Sequence, residues 1–381
     1  MDFELQWLLW GLPVAFALGW IGSRWDVRQW RRELRGSQKV YYKGLNLLLS
    51  EQHDKAIDAF IEAVQQDPDT SELHFALGNL FRRRGEYERA VRVHQHLLGR
   101  ADLAASERHR AQHALAQDYM KAGLLDRAEQ AYQALAGTAF DTEARLALLD
   151  LHERSRDWRA AVDVALQLEK SGTGSFASRI AHYWCEIALE ADAAHDAPSA
   201  EQAIARALDA GPRDARPLIL AGERAAARGD HGEALRLWTT LMTVRPAAFN
   251  LVARRFAASA TALGRQGVAL ERLQALYDRA PTLDLLETIA SLQSDDGSRD
   301  AKLLDHLREH PTIAAASAMV ATRAAAGDET SVALSAALRR AARPLHRYRC
   351  AACGFEAEHY FWQCPGCLGW DTYPPQRLED L

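Results

Sequence analysis

Four alanines of this 381-residue chain share one place in a recurring pattern, each followed 12 residues later by a proline, and that spacing leaves few folds open. The pairs are Ala56 and Pro68, Ala200 and Pro212, Ala234 and Pro246, and Ala269 and Pro281. Gly44 returns as Gly78, and Ala56 as Ala90, each 34 residues later. A period near 34 with one small residue in each of two helical stretches describes a helix hairpin copied along the chain. The stretch from Tyr41 to Pro68, YYKGLNLLLSEQHDKAIDAFIEAVQQDP, shows the unit most plainly. Gly44 and Ala56 are expected to face each other where the two helices come closest, because a larger side chain would push them apart.

This is the signature of the tetratricopeptide repeat, and it sets the fold class as all-α, a repeat solenoid over residues 37–345. Units without the proline keep the rest of the pattern: Gly85, Tyr87 and Ala90; Gly123, Ala128 and Tyr132; Trp158, Ala161 and Leu168. Trp184 stands three residues before Ile187 and four before Ala188, as a first-helix residue should. After Pro281 the pattern blurs, since Arg299 replaces the expected alanine while Leu303 and Pro311 hold the frame. Seven clear units and one or two degenerate ones are expected. The repeat spacing stretches near Ala101 to Glu107, Ser171 to Ser175 and Ala193 to Ser199, where a bend or insertion is expected.

Ahead of the repeats, Leu5 to Gly22 holds eighteen residues without a charge. At about 1.5 Å per residue this spans roughly 27 Å, close to the hydrocarbon core of a bilayer, about 30 Å. Residues 1–22 therefore read as a single-pass transmembrane anchor. Acidic Asp2 and Glu4 precede the apolar run, and Arg24, Arg28, Arg31, Arg32 and Arg35 follow it. The positive-inside rule then leaves the bulk of the chain cytoplasmic. A cleaved signal peptide would need a basic start, and a buried soluble helix would need a polar stripe where this one offers only Gln6. Residues 23–36, SRWDVRQWRRELRG, read as a basic juxtamembrane segment drawn to the lipid bilayer.

Motifs for catalysis are sparse. The chain has no GxxxxGK[ST], HExxH or GxSxG. Gly172 to Ala177 fits a loose dinucleotide fingerprint, but it lies between helices with no strand before it and reads as a linker. His182 and Cys185, three apart on a helix, read as a groove histidine and a buried cysteine rather than a nucleophile pair. A binding scaffold is the expectation, not an enzyme. First helices of such repeats line a concave face. That face should carry Glu72, Phe75, Asn79, Arg82 and Arg83, then His113, Gln117 and Lys121, with Tyr41 beside them. The basic and amide groups in this set could pair with a carboxylate or an acidic segment.

The strongest chemical signal, YRCAACGFEAEHYFWQCPGCLGWDTYPPQR at residues 348–377, lies in an end module over residues 346–381. Cys350 and Cys353 form one CxxC, and Cys364 and Cys367 another, ten residues on. Each pair can offer two thiolates from a tight turn, and four thiolates select one ion of zinc or iron over hard cations. About 35 residues bury too little apolar surface to fold alone, so the metal should hold the module together. Phe355, Tyr360, Phe361, Trp362 and Trp370 could wrap the knuckles or form a docking patch. No Lys or Arg lies between Cys350 and Cys367, Glu356 and Glu358 are acidic, and the whole chain carries a net charge of -5. Nucleic acid is therefore not an expected partner.

Taken together, the LLWGLPVAFALGW segment, the YYKGLNLLLSEQHDKAIDAF repeat and the YRCAACGF and YFWQCPGC knuckles followed by Trp370 resemble the lipopolysaccharide assembly protein B family of Gram-negative bacteria over essentially the full length. The resemblance implies an inner-membrane protein with a periplasmic N-terminus, cytoplasmic repeats and a rubredoxin-like end module. It also implies partners: a membrane-bound AAA+ protease, the lipid A-pathway deacetylase that it brings to that protease, and other inner-membrane lipopolysaccharide assembly proteins. Cys350, Cys353, Cys364 and Cys367 match the family's metal ligands. One departure concerns the alternative role of an electron carrier: a rubredoxin usually has glycine after its second CxxC, and Leu368 stands there.

Overall fold

The computed structural model describes Phe16, Leu18, Trp20 and residues 42–47, 49–50, 52–293, 296–325 and 329–380. Apart from those first three positions, the expected anchor lies outside the described residues, as do the basic segment 23–36 and Tyr41. Among the described residues no helix is long and apolar enough to cross a membrane. The chain divides into two compact units, residues 1–156 and 157–381.

In the first unit, helical residues 42–47 precede α1 (His53–Gln66), α2 (Ser71–Arg83), α3 (Tyr87–Gly99), α4 (Ala105–Ala122), α5 (Leu125–Gln133) and α6 (Asp141–Ser155). Consecutive helices pack as hairpins: α2 on α3, α4 on α5. Their apolar residues recur at helical spacing, so one stripe of each meets its neighbours. Phe60, Leu73, Leu77, Leu80 and Phe81 make one core around Ala56, Ala63 and Ala90. Fully burying each large side chain stabilises by about 1.5–3 kcal/mol.

The second unit continues with α7 (Trp158–Lys170), α8 (Ala177–Ala193), α9 (Ala197–Ala210), α10 (Ala215–Ala227) and α11 (His231–Val244), then a 3-10 turn over Pro246–Leu251. It goes on through α12 (Ala253–Ala262), α13 (Gln266–Tyr277), α14 (Leu283–Leu292), α15 (Asp296–Glu309), α16 (Ile313–Ala325) and α17 (Glu329–Ala342). The blurred sequence after Pro281 thus folds into two more hairpins, with Leu303 buried at the frame position. Asp157, Asp196 and Asp230 cap the second helices α7, α9 and α11, each carboxylate accepting from the backbone N–H three residues on. Each cap contributes about 1 kcal/mol. A small module of two short antiparallel strands, β1 (Tyr348–Arg349) and β2 (Glu356–Ala357), ends the chain.

Two expectations need correction. A Cβ built on Gly44 would sit 2.8 Å from the Phe60 ring, so the close partner of Gly44 is Phe60, one turn beyond Ala56. The same 16-residue relation joins Gly78 to His94 and Gly222 to Trp238. Ala56, Ala90 and Ala234 are fully buried beside these pairs. Of the stretched spacings, the one at Ser171 to Ser175 is a connection, residues 171–176 lying between helices. Residues 100–104 and 194–196 are short connections, and the extra length there goes into α4 and α8, of 18 and 17 residues, because these segments are rich in helix formers.

Arginines tie first helices to one another one repeat apart. Arg110 pairs with Glu72 in the first unit. In the second, Arg216 reaches Glu186 at 2.6 Å, Arg254 reaches Glu287 at 2.6 Å, Arg224 pairs with Asp192 and Arg255 with Glu223. Solvent screening keeps the more exposed of these to about 0–1 kcal/mol each.

Candidate metal centre and its docking face

Each CxxC closes a tight turn in which the residue after the second cysteine takes a left-handed conformation. Gly354 has φ +76° and donates its N–H to the Cys350 carbonyl at 2.9 Å; Leu368 has φ +60° and donates to Cys364 at 2.8 Å. Glycine adopts this backbone freely, whereas leucine does so at a cost of about 1–2 kcal/mol. The second turn is therefore built like the first despite its leucine.

The two turns bring four sulfurs within 4.8 Å of one another. Cys350 Sγ lies 3.8 Å from Cys367 Sγ, and Cys353 Sγ lies 3.6 Å from Cys364 Sγ. A disulfide needs about 2.05 Å. A tetrahedral ion with metal–sulfur bonds of about 2.3 Å places its ligands roughly 3.8 Å apart, so the set fits one such ion. Cys350 and Cys364 are buried, while Cys353 and Cys367 face solvent. Burial alone would push the Cys350 thiol up; hydrogen bonds from Thr372 and from the backbone of Cys353 and Ala352 outweigh it and hold the thiol at about 6. Four thiolates in so small a space repel one another, and a cation resolves that repulsion. The Gly366 N–H points at Cys364 Sγ at 3.3 Å, and Tyr373 closes the buried side, its hydroxyl donating to the Phe355 carbonyl at 3.1 Å.

From this centre, Trp362, Trp370 and Asp371 reach the repeats of the same unit. The Trp370 ring stacks on His182 of α8 at 4.6 Å, and Trp158 of α7 and Tyr183 of α8 meet it edge-on at 6.0 Å. Asp371 accepts a hydrogen bond from His182 Nε2 at 2.8 Å. Arg216 of α10, only 4% exposed, lies 5.6 Å from the Trp370 ring and 6.0 Å from Trp362. Further along, Arg377 reaches Asp284 of α14 at 3.3 Å, and Glu379 accepts from the Ala314 N–H at the start of α16 at 3.2 Å. Of the five aromatic residues the sequence singles out, Trp362 and Trp370 dock, Tyr360 packs with Tyr348 and Tyr373, and Phe355 and Phe361 stay partly exposed.

Sequence reasoning placed His182 in a groove; its ring instead lies under the metal module. Cys185 is fully buried, and burial pushes its thiol up to about 12. Trp158 and Arg216 went unnoticed as docking residues, because each also fits an ordinary repeat position.

The residues expected on the concave face of the first unit have varied surroundings. Phe75 is 1% exposed, lies near His94 and is capped by the Arg110 guanidinium at 4.1 Å. Arg82 donates to Asn79 at 2.6 Å and pairs with fully buried Asp118 at 2.8 Å, whose second oxygen contacts buried His94 Nδ1 at 2.5 Å. His113 stacks on Phe140 at 4.8 Å; Gln117 is half-buried, and Arg83 and Lys121 are exposed.

A family profile described as Rubredoxin metal binding domain, of the zinc-ribbon class, matches residues 348–374. Over its whole length the chain is similar to the lipopolysaccharide assembly protein B of Escherichia coli strain K12, with 34% identity over 390 residues and 99% of each chain covered. The protein of the same name from Haemophilus influenzae is 26% identical over 397 residues, again with 99% of each covered. Among solved structures, a Naa15/Naa10 complex bound to HypK-THB aligns with a TM-score of 0.42 and 16% identity, over 80% of this chain and 51% of the other. A tetratricopeptide repeat protein from Parabacteroides merdae aligns with a TM-score of 0.34 and 14% identity, over 67% and 98%. These two likenesses are loose and add nothing to the repeat pattern itself.

Proposed function

Because the chain belongs to the lipopolysaccharide assembly protein B family, with the role in regulating lipopolysaccharide assembly that this membership carries, we propose that it acts as a membrane-tethered adaptor with no chemistry of its own. In this reading residues 1–22 anchor it in the inner membrane, N-terminus in the periplasm, with the repeats in the cytoplasm. A tether confines the search to the bilayer surface and raises the effective concentration of membrane partners. The repeats grip the lipid A-committing deacetylase and present it to a membrane-bound AAA+ protease. The metal module fixes the end of the array. The observation that supports this most is the 34% identity over 99% of both chains, which takes in repeats and metal module together.

The test is crosslinking and pull-down from native membranes, comparing intact protein with Cys353→Ser, alongside the cellular level of the deacetylase. The adaptor reading expects both enzymes with the intact protein and a stabilised deacetylase with the variant. Recovery of neither enzyme, or an unchanged deacetylase level, would reject it.

Exposed Cys353 and Cys367 favour a second reading, an electron carrier, whose centre needs a solvent-facing edge. That reading requires bound iron with a reversible redox transition; metal analysis and a visible spectrum of the purified protein decide between them.

A further inference from the structure

A cavity of about 410 Å³ opens where the metal module meets the second unit's repeats, between the docking contacts and the 3-10 turn at Pro246. Its module side is aromatic, formed by Tyr360, Trp362 and Tyr373 with Pro375. Both tyrosine hydroxyls are engaged inside the module, Tyr360 donating to the Tyr373 carbonyl at 3.2 Å and Tyr373 to Phe355. What these residues have left to offer a ligand is ring surface.

The charged groups in the wall are Asp214 and Asp371 against the single guanidinium of Arg245. Arg245 stands 3.7 Å from Asp214, too far for a close pair, and Asp371 is half-exposed. His182, also in the wall, is 2% exposed, and its Nδ1 is buried without a hydrogen-bond partner. A carboxylate only accepts hydrogen bonds, so the proton between His182 and Asp371 sits on Nε2. Nδ1 is the ring nitrogen left without a partner. Rings and surplus carboxylate both suit a cationic donor.

We propose that this cavity is a binding site for one basic side chain, a guanidinium or ammonium group presented by a partner protein. The inference rests on the adaptor reading only for the source of that side chain; the cavity's preference can be measured without any partner. A neutral or acidic occupant would leave the surplus carboxylate unmatched.

The full chain in detergent, labelled with 5-fluorotryptophan, is titrated with N-acetyl-arginine amide and with its uncharged isostere N-acetyl-citrulline amide. Trp362→Phe identifies the Trp362 fluorine resonance. The expected result is a saturable shift of that resonance with arginine amide at concentrations about fivefold or more below those needed with citrulline amide. Asp214→Asn, which lies away from the docking contacts, should remove most of that preference while leaving the Trp370 resonance unmoved. Equal response to both amides, no response of Trp362, or a preference untouched in Asp214→Asn would each overturn the proposal. Such a result would leave the pull-down from membranes unaffected, so the two readings fail separately.

Discussion

His182 donates to Asp371 across 2.8 Å, joining α8 to the loop that follows the second metal knuckle, 189 positions later in the chain. The imidazole also carries the Trp370 ring. One side chain therefore supplies both a polar and a stacked contact of the docking face.

His182→Ala should loosen the module without unfolding it. A hydrogen bond to a half-exposed carboxylate together with a ring contact contributes about 1–2 kcal/mol. Hydrogen exchange of residues 348–374 in the metal-loaded variant should speed up by roughly tenfold while the repeats stay protected. Unchanged exchange in the module would show that the remaining docking contacts suffice to hold it.

Metal removal should act on the end module alone. Structural Cys₄-type sites supply roughly 10–16 kcal/mol, far more than two short strands can replace. A chelator is expected to unfold residues 346–380 and shift tryptophan emission to the red as Trp362 and Trp370 gain water. Far-ultraviolet circular dichroism should barely change, because the module contributes no α-helix. A large loss of helix would mean that the metal also holds the repeats.

Gly222→Ala should be costly where Gly99→Ala is not. An added methyl at 222 runs into the Trp238 indole, which is wholly buried and cannot move away. Overpacking of this kind costs about 1–3 kcal/mol. Nothing lies within 4 Å of the corresponding point at Gly99, at the end of α3, and there alanine should stabilise by up to about 1 kcal/mol. Urea denaturation of the two variants measures the contrast, and equal midpoints would contradict it.

Asp118→Ala should cripple the first unit. The carboxylate is fully buried between Arg82 and His94, so its loss leaves a partly buried guanidinium without its counter-charge, held only by Asn79 and the Ala114 carbonyl, and a buried imidazole without its carboxylate. Removing one partner of a buried pair costs about 3–5 kcal/mol. Asp118→Asn keeps the shape and part of the hydrogen bonding and should fall between. Proteolysis confined to residues 52–156 would be the signature, and a fully resistant Asp118→Ala protein would exclude it.

Acid should weaken the array through its buried histidines. Burial holds His74, His113 and His306 below the ordinary imidazole value, with the neighbouring His310 charge adding to the effect at His306. The unfolded chain then takes up more protons than the folded one. Stability from these groups is complete above about pH 6.5 and falls as the pH drops below it. His306→Gln, which removes one such group beside Tyr277, should flatten the fall in urea midpoint between pH 7.5 and 5.5. A parallel slope in the variant would argue against the assignment.

Much of this was readable in the residues themselves. The alanine and proline spacing located the hairpins because close helix crossings exclude large side chains, and the paired CxxC turns located the metal site because short loops leave thiolates few arrangements. Contacts between distant segments were not readable. Nothing near His182 announces Asp371, since each looks ordinary in its own helix or loop and only the folded chain brings them together. The partner of Gly44 was misjudged by one turn, because a periodic pattern tells which residues are small and not which ring fills the space they leave. Leu368 looked like a break with the knuckle pattern; the backbone shows it holding the same left-handed turn as Gly354 under strain.

The rings that cover the repeat glycines differ: Phe60 over Gly44, His94 over Gly78, Trp238 over Gly222. Each of these three hairpins is thus cut to its own gauge. A second helix transplanted from one hairpin to another would bring a ring of the wrong size, so the order of the units along the chain is fixed by fit as well as by connectivity, and duplicating or shuffling them would yield a jammed array.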